Sequence, residues 1–138
     1  MRGLSFDEVF AMLSAVQLSL DDLTRLREWI ASIAHPFDEA GMRAFIEQDY
    51  DRSGGYLSAT NHFMLKGSEG LKGRLHEIKA PLLVIHGTSD PIFPVEHGAA
   101  LADAIAGARL VRIEGGGHEL HPKDWATIVA ALTAHTQR

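Results

Sequence analysis

The sequence Pro81-Leu82-Leu83-Val84-Ile85-His86-Gly87 is a short, mostly apolar run between a proline and a glycine. A run of this length with β-branched residues at its centre is typical of a strand buried on both faces, as in parallel sheets. Arg109-Leu110-Val111-Arg112-Ile113 is a second candidate strand. Between the two strands, residues 95–106 are flanked by Pro94 and Gly107, which favour the beginning and the end of a helix. The order strand, helix, strand predicts a right-handed crossover between two parallel strands.

A last helix and an open sheet complete the prediction for residues 79–138. Glycines at positions 115–117 indicate a loop after the second strand, and Pro122 begins a helix. The apolar residues of this helix are Trp125, Ile128, Val129 and Leu132. Two parallel strands alone are not a stable sheet, and each leaves an edge unpaired. We therefore expect this unit to be completed by a missing N-terminal half, by another chain or by a second copy of itself.

Residues 1–78 have helical patterns only. Ser5 with Glu8, and Ser19 with Asp22, have the spacing of a capping box, in which two side chains satisfy free amides of a first helical turn. Apolar residues follow each cap at helical intervals; they are Phe6, Val9, Phe10, Leu13 and Val16, and then Leu23, Leu26, Ile30 and Ile33. The second helix is predicted to continue to Pro36, because proline lacks the amide that a helix needs.

Two further helices are predicted before residue 78. Asp38 begins one of them, and Gly54-Gly55 ends it. Its apolar residues are Met42, Phe45 and Ile46, and a fourth helix with Tyr56, Phe63 and Met64 follows before a loop at Gly67 and Gly70. The change of pattern near residue 78 divides the chain into an all-helical segment, residues 1–78, and an α/β segment, residues 79–138.

Composition and charge exclude several classes of protein. The 138 residues are 46% hydrophobic and 22% charged, which is typical of a globular chain. The formal net charge of −5 disfavours nucleic acid or an anionic membrane as a partner, since both need a basic face. The chain has no cysteine, which excludes disulfides and a thiolate nucleophile. No apolar run could span a membrane, and Asp7 and Glu8 stand where a signal sequence is apolar, so we expect a cytoplasmic protein.

Two polar clusters follow the two predicted strands. Residues 87–91 read Gly-Thr-Ser-Asp-Pro, and residues 115–119 read Gly-Gly-Gly-His-Glu. Reacting groups of parallel sheets gather beyond the carboxyl ends of the strands, so we expect Asp90 and His118 to meet there. A carboxylate beside an imidazole fixes the tautomer of the ring and stabilises the imidazolium that forms when the ring takes a proton. Asp90 and His118 are therefore candidates for the acid and the base of a catalytic triad.

Both clusters resemble motifs of the α/β-hydrolases. Residues 80–94, Ala-Pro-Leu-Leu-Val-Ile-His-Gly-Thr-Ser-Asp-Pro-Ile-Phe-Pro, resemble the strand and the acid turn of that family. Residues 107–118, Gly-Ala-Arg-Leu-Val-Arg-Ile-Glu-Gly-Gly-Gly-His, resemble its final strand and histidine loop. Asp90 matches the triad acid of the family, and His118 matches the triad base. The resemblance implies the α/β class, namely the C-terminal part of an α/β-hydrolase fold with two parallel strands and crossover helices, and it implies no metal and no organic cofactor.

Residues 1–78 resemble the helical cap, or lid, that such enzymes insert over the active site. Ser-Ala-Thr-Asn-His-Phe at residues 58–63, together with His-Glu-Leu-His-Pro at residues 118–122, resembles the aclacinomycin methylesterase-like branch. That branch hydrolyses methyl esters of polyketides. The resemblance implies a small-molecule ester as the substrate of the complete enzyme.

The sequence departs from the family at the nucleophile. The family places its serine in a Gly-x-Ser-x-Gly elbow between a strand and a helix, and the 138 residues contain no such motif. Residues 87–91 begin in this way but have Pro91 in place of the last glycine, and they occupy the acid turn. Ser89 is therefore interpreted as a turn residue. The oxyanion-hole loop is also missing, and one donor of such a site is typically worth about 10²–10³ in rate.

Each candidate residue also has a structural explanation. Asp90 before a proline is a common turn residue, and His118 could be a polar loop residue. His118-Glu-Leu-His121 has its histidines three residues apart in a loop, whereas a zincin has them four apart on a helix, so metal binding is disfavoured. Packing is the favoured role of the other ring-bearing candidates, although Phe93 could touch substrate; they are Trp29, His62, His86 and Phe93.

Three functions remain open from the sequence. The first is an esterase-type serine hydrolase fragment that supplies Asp90 and His118 but is inactive alone. The second is a non-catalytic remnant, or a self-associating structural or interaction protein, in which the exposed strand edge drives formation of a homo-oligomer such as a dimer. The third is a split enzyme whose serine comes from a partner chain.

Overall fold

The computed structural model describes residues 5, 7, 8, 11, 18–31, 33–55 and 73–137. They divide into two compact units: one contains residues 5, 7, 8, 11, 18–29 and 37–55, and the other contains residues 30, 31, 33–36 and 73–137. The predicted fourth helix with Tyr56, Phe63 and Met64, the loop at Gly67 and Gly70, and His62 lie outside the described residues. Whether residues 1–78 act as a cap stays a prediction.

The helices of the first unit begin where the capping residues predict. Helix α1 spans Leu20–Ile30, and its last residue already belongs to the second unit. The amide of Asp22 donates to Ser19 Oγ at 3.1 Å and the amide of Ser19 donates to Asp22 Oδ2 at 3.1 Å, so this capping box is confirmed. The hydrogen bonds from Ser19 lower the pKa of Asp22. The same reciprocal bonds join Ser5 and Glu8.

Helix α2 spans Glu39–Ser53, as predicted from Asp38 and Gly54-Gly55. Asp38 caps it by accepting a hydrogen bond from the amide of Gly41 at 3.0 Å, and Gly54 ends it with a φ of 70°. Ile46 on this helix is 2% exposed and is the best-buried apolar residue among those of the unit that the structure describes. Two contacts tie α2 to α1: Arg43 forms an ion pair with Asp21 at 2.6 Å, and the Arg27 guanidinium lies 5.8 Å from the centre of the Phe45 ring.

The prediction that the second helix continues to Pro36 is wrong. Helix α1 ends at Ile30, and Ile33 is 78% exposed instead of continuing the apolar face. The cause is a tertiary contact: the amides of Ile33 and Ala34 both donate to Gly115 O, at 2.9 and 3.2 Å. Hydrogen bonds to a distant loop therefore replace the helical hydrogen bonds that the local pattern predicts.

The second unit has the predicted order of strands and helices. After a short 3₁₀ helix, Leu75–Glu77, strand β1 spans Leu83–Gly87, helix α3 Val95–Ala104, strand β2 Arg109–Ile113, a second 3₁₀ helix Pro122–Asp124 and helix α4 Trp125–Thr136. The two strands pair in parallel, with Leu83 opposite Arg109 and Gly87 opposite Ile113. Helix α3 contacts both strands, which is the crossover arrangement. The predicted pair of parallel strands joined by a crossover helix is thus confirmed.

The core of the second unit is made of β-branched side chains from its strands and helices. Val84, Ile105, Ile113 and Ile128 are each at most 9% exposed, and Ile30 joins this group. Ile105 explains why α3 ends two residues before the predicted end, because its backbone is extended and its side chain is 2% exposed.

One surface of the second unit is apolar. Leu120 before α4, and Trp125, Val129 and Leu132 on it, are between 46% and 60% exposed. These four residues are called the α4 apolar patch below. Across the described residues, no helix combines the length and the apolar character that crossing a bilayer requires.

Candidate active site

Asp90 lies in the turn that follows β1, and both oxygens of its carboxylate have hydrogen-bond partners. Its Oδ1 accepts hydrogen bonds from the amides of Ile92, at 2.8 Å, and Phe93, at 2.9 Å. Its other oxygen, Oδ2, lies 2.9 Å from Nδ1 of His118. The side chain is 6% exposed, so these partners replace nearly all of its water.

The pKa of Asp90 is lowered despite its burial. Burial alone would raise the pKa, because it removes water from the charged form. The hydrogen bonds from the Phe93 amide, the His118 ring and the Ile92 amide all favour the charged form, and together they bring the pKa below the usual 3.8. Asp90 is therefore an ionised acceptor at neutral pH, so the hydrogen in the contact with His118 belongs to Nδ1.

The sequence expectation that Asp90 and His118 meet agrees with this geometry, and the geometry defines what the pair can do. With Nδ1–H donating to Asp90, the neutral ring of His118 has its lone pair on Nε2. The His118 side chain is 37% exposed, so part of it is accessible to solvent. An imidazole held in this way can take a proton from a hydroxyl group and return it to a leaving group.

The two loops that bear Asp90 and His118 are bonded to each other. The amides of Thr88 and Ser89 donate to Ile113 O, at 3.0 Å, and to Gly116 O, at 2.9 Å. The hydroxyl of Thr88 accepts from the Gly115 amide at 2.8 Å. The sequence pattern did not single out Thr88, although a hydroxyl at a strand end next to a glycine loop is the signal that would have found it. Ser89 lies in the turn, as interpreted.

A third segment holds the histidine loop from its other side. The amides of His118 and Glu119 donate to Ile30 O, at 2.8 and 3.2 Å. With the bonds from Ile33 and Ala34 to Gly115, four backbone hydrogen bonds tie residues 30–36 to the loop. We call residues 30–36 the strap. No sequence pattern marked the strap, because its partners lie more than eighty positions further along the chain.

Close backbone approach explains the glycines at two positions in these loops. A Cβ atom on Gly117 would collide with the carbonyl oxygens of Ile30 and Ala31, and one on Gly87 would collide with those of Gly116 and Gly117. Only glycine permits backbone segments to pass at these separations. The glycines before His118 therefore let the strap and strand β1 reach the histidine loop.

Two aromatic rings lie next to the pair. His86 Nε2 contacts Phe93 O at 2.7 Å and lies 3.6 Å from Asp90 Oδ2, so His86 supports the acid turn from strand β1. The Phe93 ring is centred 5.7 Å from that of His118, and Phe93 is 50% exposed. Phe93 is thus both a packing partner of the histidine and an accessible apolar surface beside it.

The histidines of the disfavoured metal motif have separate partners. His118 bonds Asp90, whereas His121 Nδ1 accepts from the Lys123 amide at 3.2 Å. Within the described residues, a different set of metal-ligand types comes together: donor atoms of His35, His121 and Asp124 all lie within 4.8 Å of one another.

The parallel strand–helix–strand–helix unit, with polar loops at the carboxyl ends of its strands, is of the α/β class and is the arrangement expected for the C-terminal part of an α/β-hydrolase fold. Residues 17–124 match the model of the Hydrolase_4 family, described as serine aminopeptidase S33. The chain belongs to this family of α/β-hydrolases.

Two methylesterases are among its similar proteins. The chain is 34% identical over 103 residues to rhodomycin D methylesterase DauP of Streptomyces sp. (strain C5), an alignment that covers 74% of this chain and 35% of DauP. It is 40% identical over 63 residues to rhodomycin D methylesterase DnrP of Streptomyces peucetius, which covers 46% of this chain and 21% of DnrP. The chain therefore aligns with only about a third of the first relative and a fifth of the second.

Two solved structures share the fold. The bromoperoxidase from Bacillus anthracis superposes with a TM-score of 0.70 at 22% identity, covering 98% of this chain and 50% of that one. An N-acyl homoserine lactone degrading enzyme superposes with a TM-score of 0.60 at 22% identity, covering 93% of this chain and 51% of that one. At this identity the likeness shows the fold alone.

Proposed function

We propose that Asp90 and His118 are the acid and the base of a serine hydrolase triad that cleaves small-molecule methyl esters. The observation that carries the proposal is the 2.9 Å contact between Asp90 Oδ2 and His118 Nδ1, in which two backbone amides keep the acid ionised. An ionised acid fixes the tautomer that leaves Nε2 free to act as a base. The similarity of the chain to two rhodomycin D methylesterases supports the choice of substrate.

In the proposed reaction, His118 Nε2 takes the proton of a serine hydroxyl while the serine oxygen attacks the ester carbonyl. The imidazolium, stabilised by Asp90, then gives that proton to the departing methoxide, so that methanol leaves and an acyl-serine remains. Water repeats the two proton transfers and releases the carboxylic acid. No metal or organic cofactor takes part in these steps.

The serine is proposed to come from polypeptide other than these 138 residues. They contain no Gly-x-Ser-x-Gly elbow, and they align with 35% of DauP and cover 50% of the bromoperoxidase chain. Joined to an N-terminal half of the same fold, the two strands would become part of a larger sheet. The serine of the elbow would then be the third member of the triad. These residues alone are then expected to be inactive.

The first unit and Phe93 are proposed to shape the substrate site. Residues 1–78 are proposed as the cap, in line with their all-helical pattern, and the enzyme is proposed to be cytoplasmic. Phe93 offers an exposed ring beside His118, which would contact an apolar part of the ester.

The experiment compares two proteins. One is the 138-residue chain, and the other is the same chain joined to an N-terminal part that carries the elbow, either from the upstream reading frame or from the matching part of DauP. Both are treated with a fluorophosphonate probe and with a panel of methyl esters. We expect labelling and turnover only in the joined protein, and we expect Asp90→Asn and His118→Ala to lower its turnover by about 10⁴.

The matched control is His76→Ala, which removes an exposed histidine of the second unit and is expected to leave turnover unchanged. Labelling of the 138-residue chain alone would disprove the location of the nucleophile. Full turnover by the His118→Ala variant of the joined protein would disprove the role of the pair.

A second function, a self-associating protein without catalysis, is favoured by a separate observation. The two-stranded sheet and the α4 apolar patch leave hydrogen-bonding and apolar surface exposed on the second unit. Multi-angle light scattering of the 138-residue chain tests it. A stable dimer, together with an upstream frame that encodes no elbow, would support this function, whereas a folded monomer would contradict it.

A further inference from the structure

We propose that His35, His121 and Asp124 bind one divalent cation of the zinc type, and that this cation clamps the strap to the start of helix α4. His35 Nε2 lies 2.9 Å from Asp124 Oδ1, and the His35 and His121 rings are centred 4.4 Å apart. All three donor atoms lie within 4.8 Å of one another.

The geometry of the cluster suits a small ion. Ligand atoms of a tetrahedral zinc site, with bonds of about 2.0–2.1 Å, lie about 3.3 Å apart. The donor atoms here are between hydrogen-bonding distance and 4.8 Å apart. Side-chain movements of about 1 Å would therefore bring them to the spacing of a tetrahedral zinc site. The side chains of His35 and Asp124 are 20% and 16% exposed, so both are partly in contact with solvent, and a water molecule is proposed as the fourth ligand.

The donor set selects the kind of metal. Two imidazoles and one carboxylate suit Zn²⁺, and likewise Co²⁺ and Ni²⁺, whereas Mg²⁺ and Ca²⁺ prefer oxygen ligands throughout. The chain has no cysteine, so thiolate sites for softer metals do not compete.

Metal binding replaces hydrogen bonds that the three side chains make without it. The hydrogen between His35 Nε2 and Asp124 Oδ1 gives way to the cation. His121 Nδ1 accepts from the Lys123 amide at 3.2 Å, so the neutral ring carries its proton on Nε2. Binding through Nδ1 displaces the Lys123 amide directly. Binding through Nε2 moves the proton to Nδ1, which then no longer accepts from it. In either case the Lys123 amide loses its hydrogen-bond acceptor, so a change in the NMR shift of this amide would report metal binding at the site.

The position of the cluster indicates a structural role. His35 belongs to the strap, while His121 and Asp124 follow the histidine loop within six residues. A cation bridging them would add one more connection to the four backbone hydrogen bonds between the strap and this loop. Asp90 and His118 are not among the ligands, so the site is independent of the hydrolase proposal.

The test titrates the full 138-residue chain, without a histidine tag, with Zn²⁺ by calorimetry and with Co²⁺ by visible absorption. We expect one equivalent to bind with a micromolar or lower Kd, with the absorption of four-coordinate cobalt. Zinc at a hundredfold excess over Kd is expected to raise the Tm by about 9 °C. In ¹H–¹⁵N spectra, the Lys123 amide is expected to shift upon zinc binding.

Variants assign the ligands. His121→Ala, His35→Gln and Asp124→Asn are each expected to weaken zinc binding at least about tenfold, whereas the exposed His76→Ala is not. Asp124→Asn keeps an acceptor for His35, so it separates metal binding from the hydrogen bond that holds the strap. No binding by the unmodified chain below about 100 μM, or unchanged binding by all three variants, would overturn the proposal; the cluster would then be a metal-free brace.

Discussion

At the scale of single residues, the candidate site depends on how one carboxylate is stabilised. Asp90 is 6% exposed, yet its pKa is lowered because two backbone amides and the His118 ring all donate to it. A buried carboxyl group without these donors would have a raised pKa and would stay protonated up to a higher pH. A protonated carboxyl group could not orient the imidazole in the same way. The polar groups of the acid turn thus determine which nitrogen of the His118 ring carries the hydrogen that faces Asp90.

Asp90→Asn is expected to remove a pH-dependent part of the stability. The pKa of Asp90 in the folded state is below the 3.8 of the unfolded chain, so the folded state binds fewer protons between these two values. The contribution is therefore fully present above about pH 4 to 5 and lost as the pH falls through the folded value. In urea unfolding between pH 3 and 7, the wild type should have a higher free energy of unfolding than the variant near pH 7, and this difference should shrink towards pH 3.

The control for this measurement is Asp103→Asn, which removes an exposed acid of helix α3. The free energy of unfolding of this variant should fall towards acid pH in the same way as that of the wild type. Parallel curves for the wild type and Asp90→Asn down to pH 3 would show that the carboxylate is not stabilised in the way described.

Thr88→Val tests the hydrogen bond between the two loops that bear Asp90 and His118. The valine keeps the shape of threonine but leaves the Gly115 amide without its acceptor, so we expect a loss of about 1–2 kcal/mol in the free energy of unfolding. Thr88→Ser, which restores a hydroxyl, should recover most of the loss in urea titrations. Thr133→Val, at an exposed position on helix α4, should change stability by less than about 0.5 kcal/mol.

At the scale of secondary structure, the sequence predicted what local patterns encode. The capping pairs Ser19–Asp22 and Asp38–Gly41 mark helix starts because their partners lie three residues apart. Strand β2 has the predicted bounds, and the parallel topology alone brought Asp90 and His118 to neighbouring strand ends. The pattern failed where partners are distant: nothing near Ile30 or Ile33 signals a bond to Gly115 or His118, and the helical period of the apolar residues there is misleading.

Gly117→Ala is expected to detach the strap from the histidine loop. The added methyl group would meet the carbonyl oxygens of Ile30 and Ala31, so backbone must move and the bonds from the His118 and Glu119 amides to Ile30 must lengthen. Hydrogen exchange of these two amides should become faster than in the wild type. Gly54→Ala also strains a glycine, at a φ of 70°, but in the other unit, and it should leave both exchange rates unchanged.

At the scale of the whole molecule, the described residues expose surface that an isolated protein rarely leaves uncovered. The sheet has two strands, and the α4 apolar patch presents side chains that are about half exposed. Exposed apolar patches and unpaired strand edges are typical of surfaces that contact further polypeptide. The sequence predicted the incomplete sheet from the number of strands but not which face of α4 would be exposed.

Val129→Lys is expected to reduce association of the 138-residue chain, because it places a charge in the centre of the α4 apolar patch. Light scattering over a tenfold range of concentration measures the change in average mass. Ala126→Lys adds the same charge at another exposed position of the helix and should have a smaller effect. Equal masses for the wild type and Val129→Lys would show that the patch takes no part in association.

The strap also limits how such a protein can be recombined. Residues 30–36 run from the last residue of α1 towards the start of α2, yet they belong to the unit that contains His118. An exchange of the helical segment as one cassette, cut at residue 78, would replace the backbone that holds His118 and Glu119 along with it. A new helical segment can therefore be joined to this unit only if the seven residues of the strap are kept. They are kept if the donor gene encodes the same strap, or if the exchanged pieces end on either side of it.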